Sequence, residues 1–218
     1  MVLIYCLKEI EGSYLDFHTR LFNLPEVIVL VGKRGSGKSA SGYKILEELH
    51  EYKPNREVWI LGFPAYKKNL LPNWVHLAFT IHQIPVGAVV FVDEGAKQFN
   101  ARRSMKWSNL VISDYIDMAR QNDWTIIVEC KRTRKLDVNI VGDSDCIFIK
   151  GVGRLQTLFE RRELRKMSEF VKSEFDKIPK EERVKFMYVN DEDFVGIVGL
   201  ELPSFWTEEL SVAFKKEK

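Results

Sequence analysis

Apolar, β-branched runs alternate with longer amphipathic stretches between residue 26 and about residue 175. This alternation is typical of a mainly parallel sheet whose strands are joined by crossover helices. Within the runs, consecutive positions are apolar, which predicts strands that are covered on both faces. The predicted strands are Val27–Val31, Val58–Phe63, Trp74–Phe79, Ala88–Val92, Thr125–Glu129 and Cys146–Lys150.

Helical periodicity predicts helices over Lys38–Tyr52, Asn109–Asn122 and Arg154–Ile178. After Pro179 the chain changes character, with two strand-like segments, RVKFMYVND and FVGIVGLEL, and a helix near Thr207–Lys216. The initial MVLIYCL is a further strand candidate, whereas the residues that follow it show no clear pattern. We therefore predict one α/β domain over residues 1–218, with a core at 26–178 and a small strand-helix extension at 179–218 packed on that core.

Composition excludes several classes of protein. With 45% hydrophobic and 29% charged residues, the chain is neither disordered nor fibrous, and its formal net charge of +2 does not by itself indicate a nucleic-acid partner. The three cysteines have no CxxC spacing, so neither a disulfide framework nor a zinc site is predicted. No apolar run reaches the ~18 residues of a membrane span, and the start lacks a signal-peptide pattern. We expect an intracellular protein.

Residues 32–39 read GKRGSGKS and lie between a predicted strand and a predicted helix. This is the phosphate-loop (Walker A) pattern G-x-x-x-x-G-K-[ST] in the context that it requires. Its amides and the helix N-terminus present partial positive charge to the phosphates of a nucleotide, here predicted to be ATP. Lys38 is expected to reach the β- and γ-phosphates, and Ser39 to bind Mg2+. The predicted nucleotide contacts are Gly32, Lys33, Arg34, Gly35, Ser36, Gly37, Lys38, Ser39 and Ala40.

A second acidic motif, VVFVDEG, covers residues 89–95. Asp93 ends an apolar strand, which predicts a carboxylate beside the Ser39-bound Mg2+, as in a Walker B motif. Glu94 follows directly and is predicted to polarise the attacking water as a general base. The alternative for Glu94 is an exposed turn carboxylate. The Asp-Glu pair favours a hydrolase over a small-molecule kinase, which needs no water-activating carboxylate there.

The segment DMARQNDWTIIVECKRT, residues 117–133, resembles the HerA/FtsK superfamily of ring-forming DNA pumps. In that family an Ala-Arg near a helix end precedes a strand that finishes with a polar sensor. The resemblance implies that Arg120 is an arginine finger entering the neighbouring subunit's site, with a surface helix arginine as the alternative. The family usually has Gln as sensor; this chain has Lys131 there and Glu129 two residues earlier on the same face. Both remain candidates, and Glu129 is slightly preferred because it is the first polar residue after TIIV.

Two later segments, LDVNIVGDSDCIFIKG and LELPSFWTEEL, also resemble this superfamily, and the second resembles its smaller viral branch. That branch contains the genome-packaging ATPases of turreted icosahedral archaeal viruses and poxviruses. The resemblance covers roughly residues 26–210. It implies a RecA-like P-loop NTPase core, a homo-oligomeric ring of five or six chains, double-stranded DNA as partner, and capsid or internal-membrane proteins as further partners, with possible association with the virion.

The segment from Gly95 to Ser113 contains no acidic residue and follows the Asp-Glu pair directly. Basic side chains can neutralise DNA phosphates without reading sequence, which suits a translocating motor. A solvated charged loop is an equally weighted alternative. The predicted DNA-binding residues are Lys97, Arg102, Arg103 and Lys106.

The leading hypothesis from the sequence is an ATP-driven motor that translocates double-stranded DNA, packaging a viral genome into a preformed capsid. A nucleotide-controlled switch or assembly ATPase, which binds a capsid or membrane partner without moving DNA, is the first alternative. A small-molecule or nucleoside kinase is the second.

Overall fold

The computed structural model describes residues 4–23, 25–33, 35–93, 109–130, 142–151 and 162–213, without the side chains of 109–113 and 162–164. Its strands are β1 (Ile4–Gly12), β2 (Val27–Gly32), β3 (Val58–Leu61), β4 (Val75–Ala78), β5 (Val89–Val92), β6 (Thr125–Cys130), β7 (Cys146–Lys150), β8 (Phe186–Asp191) and β9 (Phe194–Leu200). Its α-helices include α1 (Tyr14–Asn23), α2 (Lys38–Tyr52), α3 (Asn109–Gln121), α4 (Arg162–Asp176) and α5 (Glu208–Ser211). Short 3-10 helices cover Ala65–Leu70, Ile81–Gln83 and Arg183–Lys185.

Across the described residues, the nine strands form one sheet in the order β1-β9-β8-β7-β2-β6-β5-β3-β4. The strands from β7 to β4 are parallel, as their crossover connections require. β8, β9 and β1 then continue the sheet with antiparallel pairing. The predicted fold class, a mainly parallel α/β sheet flanked by helices, is therefore confirmed.

The central strands separate two apolar cores, one on each face of the sheet. In β2 all six residues are buried, and alternate side chains enter opposite cores, with Ile28 on one side and Val29 on the other. Helices α1 and α2 cover the first face, through residues such as Phe17 and Leu46. Helices α3 and α4 cover the second face, through residues such as Ala119 and Phe175. Burial on both faces explains why these strands are uniformly apolar.

The segments on either side of the predicted core complete the sheet. β8 and β9 pair beside β7, and the N-terminal strand β1 pairs with β9 in an antiparallel register from Ile4 opposite Leu200 to Gly12 opposite Phe194. Helix α1, which the sequence pattern did not reveal, packs against β9. The predicted helix at Arg154–Ile178 is described only from Arg162, because residues 152–161 lie outside the described part of the chain.

Among the described helices, none combines the length and apolarity that a membrane crossing needs.

A charged cluster ties α1 to the amino-terminal edge of the parallel strands. Arg20 lies 3.5 Å from Glu26 and 3.0 Å from Asp193, and it donates a hydrogen bond to Asp191. Burial raises the pKa of Glu26 to about 7 and outweighs the opposing effect of the Arg20 charge. The cluster therefore anchors α1 at the cost of holding a carboxyl group that resists ionisation.

The raised pKa of Glu26 predicts how the free energy of unfolding changes with pH. Because the pKa of Glu26 rises from 4.5 in the unfolded chain to about 7 on folding, its favourable contribution is complete below about pH 4.5 and is lost as pH rises through about 7. The variant Glu26→Gln should therefore lose less unfolding free energy than wild type between about pH 5 and about pH 8, as measured by urea titration. Identical pH dependence in the two proteins would contradict this interpretation.

Candidate nucleotide-binding site

The phosphate loop joins the carboxyl end of β2 to the amino end of α2. Gly35 and Gly37 have φ values of 74° and 84°, in the left-handed region that favours glycine, and Gly37 directly precedes the helix. A Cβ at Gly32 would lie 2.5 Å from the carbonyl oxygen of Lys150, so only glycine fits beside β7. These constraints place Lys38 and Ser39 in the first turn of α2. Arg34, also predicted to contact the nucleotide, lies outside the described residues.

Two buried carboxylates lie at the same edge of the sheet as the loop. Asp93 follows β5 and Glu129 lies in β6, and both residues are 5% exposed. Because Val92 pairs with Val128, the two acidic residues occupy adjacent positions on neighbouring parallel strands. The predicted residues Glu94 and Lys131 come immediately after described residues but lie outside them.

Glu129 contacts both functional side chains of the loop. Ser39 Oγ donates a hydrogen bond to Glu129 Oε2 at 2.8 Å, and Lys38 Nζ lies 3.8 Å from Glu129 Oε1. Lys38 Nζ also donates to the carbonyl oxygen of Lys33 at 3.0 Å. Because the Ser39 hydroxyl donates its hydrogen bond to Glu129, the lone pairs of its oxygen remain available to coordinate a metal ion. Glu129 is therefore placed to orient the Ser39 hydroxyl as well as to pair with Lys38.

The donor set suits Mg2+ bound together with a nucleotide. Mg2+ prefers oxygen ligands and takes only one or two protein carboxylates when phosphates and water complete its shell. Ser39 supplies a hydroxyl, and Asp93 supplies a buried carboxylate at the same edge of the sheet. No group of three or more His, Cys, Asp or Glu side chains able to hold a metal alone exists among the described residues. The residues present thus fit a metal whose remaining ligands come from substrate.

Tyr43 is buried close enough to the two carboxylates for their charges to act on its hydroxyl, a position that sequence reasoning missed. It lies one turn after Ser39, is 1% exposed and has no hydrogen-bond partner for its hydroxyl. Burial raises its pKa well above 10, with the charges of Asp93 and Glu129 adding to the effect. The ring stays neutral and low in polarity, which strengthens electrostatic interactions in the site. The only sequence signal for this position is the spacing of four residues from Ser39, which puts Tyr43 one helical turn further along the same face of α2.

The segment around Ser204 packs against α2 beside Tyr43. Glu47 accepts hydrogen bonds from the backbone nitrogen of Ser204 at 2.9 Å and from Lys44 at 2.6 Å. The rings of Phe205 and Trp206 both lie 6.0 Å from the ring of Tyr43. The segment LELPSFWTEEL therefore supports the helix that carries Lys38 and Ser39.

Arg120 lies at the amino-terminal ends of the parallel strands, whereas the loop follows the carboxyl end of β2. Its Nη2 donates to the carbonyl oxygen of Asp143 at 2.7 Å and lies 3.9 Å from Asp145 Oδ1. Asp145 itself donates its backbone N–H to the carbonyl of Val27, at the amino end of β2. Within one chain Arg120 does not meet Lys38, so its role as a finger for a neighbouring subunit stays a prediction. The predicted DNA-binding residues Lys97, Arg102, Arg103 and Lys106 lie outside the described residues.

No protein-family model and no curated protein sequence matches the chain. Among solved structures, the genome packaging NTPase B204 from Sulfolobus turreted icosahedral virus 2, in complex with AMPPCP, is similar with a TM-score of 0.53 and 16% identity, over 81% of this chain and 98% of that one. B204 from Sulfolobus turreted icosahedral virus, described as a DNA-packaging ATPase, has a TM-score of 0.51 and 14% identity, over 81% and 98% of the two chains. The chain has the fold of these packaging NTPases.

A solved bacterial structure is also similar to this chain. ATPases 2 and 3 of EssC from Geobacillus thermodenitrificans have a TM-score of 0.52 and 10% identity, over 86% of this chain and 41% of that one. At such identities the likeness shows the shared fold alone. The fold that the sequence resemblance implied is thus confirmed.

The unpartnered hydroxyl of Tyr43 predicts a stabilising substitution. Tyr43→Phe removes a buried hydroxyl that makes no hydrogen bond, so we expect the free energy of unfolding in urea to rise by on the order of 1 kcal/mol. Tyr14→Phe is the matched control, because the hydroxyl of Tyr14 donates to the carbonyl oxygen of Ile4 and its loss should destabilise. Equal destabilisation by both substitutions would refute the description of Tyr43.

Proposed function

We propose that this chain is an ATP-hydrolysing motor that translocates double-stranded DNA and packages a viral genome into a preformed capsid. The observation that carries the proposal is the assembly of Lys38, Ser39, Asp93 and Glu129 at one edge of the packaging-NTPase fold. The description of B204 as a DNA-packaging ATPase supports extending this site to a motor.

The described residues suit the chemistry of phosphoryl transfer to water. The loop amides and Lys38 would hold the β- and γ-phosphates, while Ser39 and Asp93 would hold Mg2+, which neutralises charge on the phosphates. Glu129 holds the hydroxyl of Ser39 in one orientation through the 2.8 Å hydrogen bond. Glu94, directly after Asp93, is proposed to accept the proton of the attacking water. Burial of these groups before substrate binds lowers the reorganisation that the reaction would otherwise require.

The motor is proposed to work as a homo-oligomeric ring. Arg120 lies at the end of the strands away from the phosphate loop of its own chain, and its side chain is 52% exposed. It is therefore free of its own nucleotide site and accessible to the site of a neighbouring subunit. The basic segment from residue 95 follows Glu94 directly and is proposed to bind the DNA backbone through Lys97, Arg102, Arg103 and Lys106. We further propose that the ring acts inside the host cell and docks on capsid or internal-membrane proteins.

The active-site assignment is tested by ATP hydrolysis with and without double-stranded DNA. Glu94→Gln should lower turnover by about 10²–10⁴-fold through loss of the general base. Arg120→Ala should lower it by roughly 10³–10⁵-fold if the arginine stabilises the transferring phosphoryl group. Arg165→Ala, an exposed arginine on α4, serves as the control and should retain activity. Unchanged turnover in both active-site variants would reject the assignment.

The shared site is tested by mixing two inactive variants. A ring that contains both Arg120→Ala and Glu94→Gln chains can form composite sites with an intact base and an intact arginine. We expect partial recovery of hydrolysis at intermediate ratios, and none at any ratio would argue against a contribution from the neighbour. Turnover that DNA does not change in wild type would instead favour the nucleotide-controlled switch.

A further inference from the structure

A cavity of about 220 Å³ opens beside the phosphate loop, on the side of β7. The loop forms one wall, the end of β7 forms the floor, and α4 with the 3-10 turn at Arg183–Lys185 forms the far wall. The volume is smaller than the ~300–1,000 Å³ typical of sites that enclose a whole ligand, so it suits a fragment of one. The phosphate-loop motif accounts for the first wall, whereas no motif in the sequence indicated that Lys150, α4 and the 3-10 turn would complete the cavity.

Its floor is built from buried polar groups. Ser36 lines the cavity and is 8% exposed, and its hydroxyl has no hydrogen-bond partner. Lys150 is 2% exposed, and its Nζ donates to the carbonyl oxygen of Val184. The side chain of Lys150 runs beneath the loop, since a Cβ at Gly37 would lie 3.6 Å from its Cε. A buried hydroxyl without a hydrogen-bond partner is costly unless a ligand uses it, and the amine of Lys150 lines the same cavity.

The charge of the lining selects an anion. Five cationic side chains and one carboxylate surround the cavity, a formal excess of four positive charges. The carboxylate is already bonded, 2.6 Å from Lys172 and 3.2 Å from Arg183. Burial lowers the pKa of Lys150 to about 7, and an anion in the cavity would favour its charged form. The charged residues are Lys33, Lys150, Lys172, Asp176, Lys180 and Arg183.

The position of the cavity indicates which anion. Asp93 and Glu129, which mark the γ-phosphate end of the proposed site, lie on strands at one side of β2, whereas the cavity lies at the other side. If the γ-phosphate lies on the side of Asp93 and Glu129 and the triphosphate crosses the loop, its α-phosphate must lie on the side of β7. Its α-phosphate and nucleoside would then enter the cavity, where Phe175 and Val184 offer apolar surface beside the cations.

We propose that this cavity binds the α-phosphate and nucleoside end of the nucleotide, with Ser36 and Lys150 as its floor and Lys180 and Arg183 at its rim. Residues after Pro179 thereby become part of the substrate site. The inference rests on the proposed function, because it assumes that the loop binds a nucleoside triphosphate.

The test compares calorimetric affinities for three probes: Mg2+-ATP, AMP and inorganic pyrophosphate. AMP contains only the end assigned to the cavity, and pyrophosphate lacks that end. Lys150→Met and Lys180→Gln should each weaken ATP and AMP binding by about tenfold or more and change pyrophosphate binding by less than about twofold, as expected for loss of one charge-assisted hydrogen bond. Lys38→Met should weaken ATP and pyrophosphate together.

Lys180→Gln changes an exposed side chain, so it remains informative if Lys150→Met fails to fold. Lys166→Met, an exposed lysine of α4 that does not line the cavity, should leave all three affinities unchanged. Equal weakening of pyrophosphate and ATP would overturn the proposal, since Lys150 would then only support the loop. Weaker DNA binding with unchanged nucleotide binding would also overturn it. If wild type binds neither ATP nor AMP, the proposed function itself fails.

Discussion

The site depends on the burial of β2 between two parallel neighbours. β2 pairs with β6 on one side and β7 on the other, and all six of its residues are buried. Its last residue, Gly32, approaches the backbone of Lys150 so closely that no side chain fits. A slip in register by one residue would move each side chain of β2 into the opposite apolar core, where it would not fit its neighbours, so the strand has one stable register. The position of the loop along the strand direction is therefore fixed relative to Glu129 on β6 and Lys150 on β7.

Buried charge is the second constraint on the site. Lys38, Asp93, Glu129 and Lys150 are each no more than 5% exposed, and placing such groups in a core costs free energy unless they are paired. Lys38 and Glu129 compensate each other in part, whereas Lys150 meets a backbone carbonyl. This arrangement is poor for stability alone and is well suited to a polyanionic ligand accompanied by a divalent cation. Preorganised charges in a region that excludes water are the usual source of electrostatic catalysis.

The segments outside the parallel core join the site from two directions. The backbone nitrogen of Ser204 donates a hydrogen bond to Glu47 of α2, and the rings of Phe205 and Trp206 lie against Tyr43. On the other side of the loop, Val184 accepts the hydrogen bond of Lys150. The segment from Val184 to Trp206 thus connects the candidate nucleotide site to β8, β9 and the N-terminal strand that pairs with β9.

The sequence by itself determined the strands of the parallel core, the loop after β2 and the position of Asp93 after β5, because each rests on local properties. Uniformly apolar runs form doubly covered strands, and glycines at Gly35 and Gly37 permit left-handed backbone. Only the tertiary structure decided that Glu129, ninety residues away, bonds to Ser39, that Tyr43 is buried close to both carboxylates, and that Lys150 lines a cavity beside the loop. Those contacts depend on which strands become neighbours and in what register, and long-range pairing of this kind leaves no periodic signal along the chain.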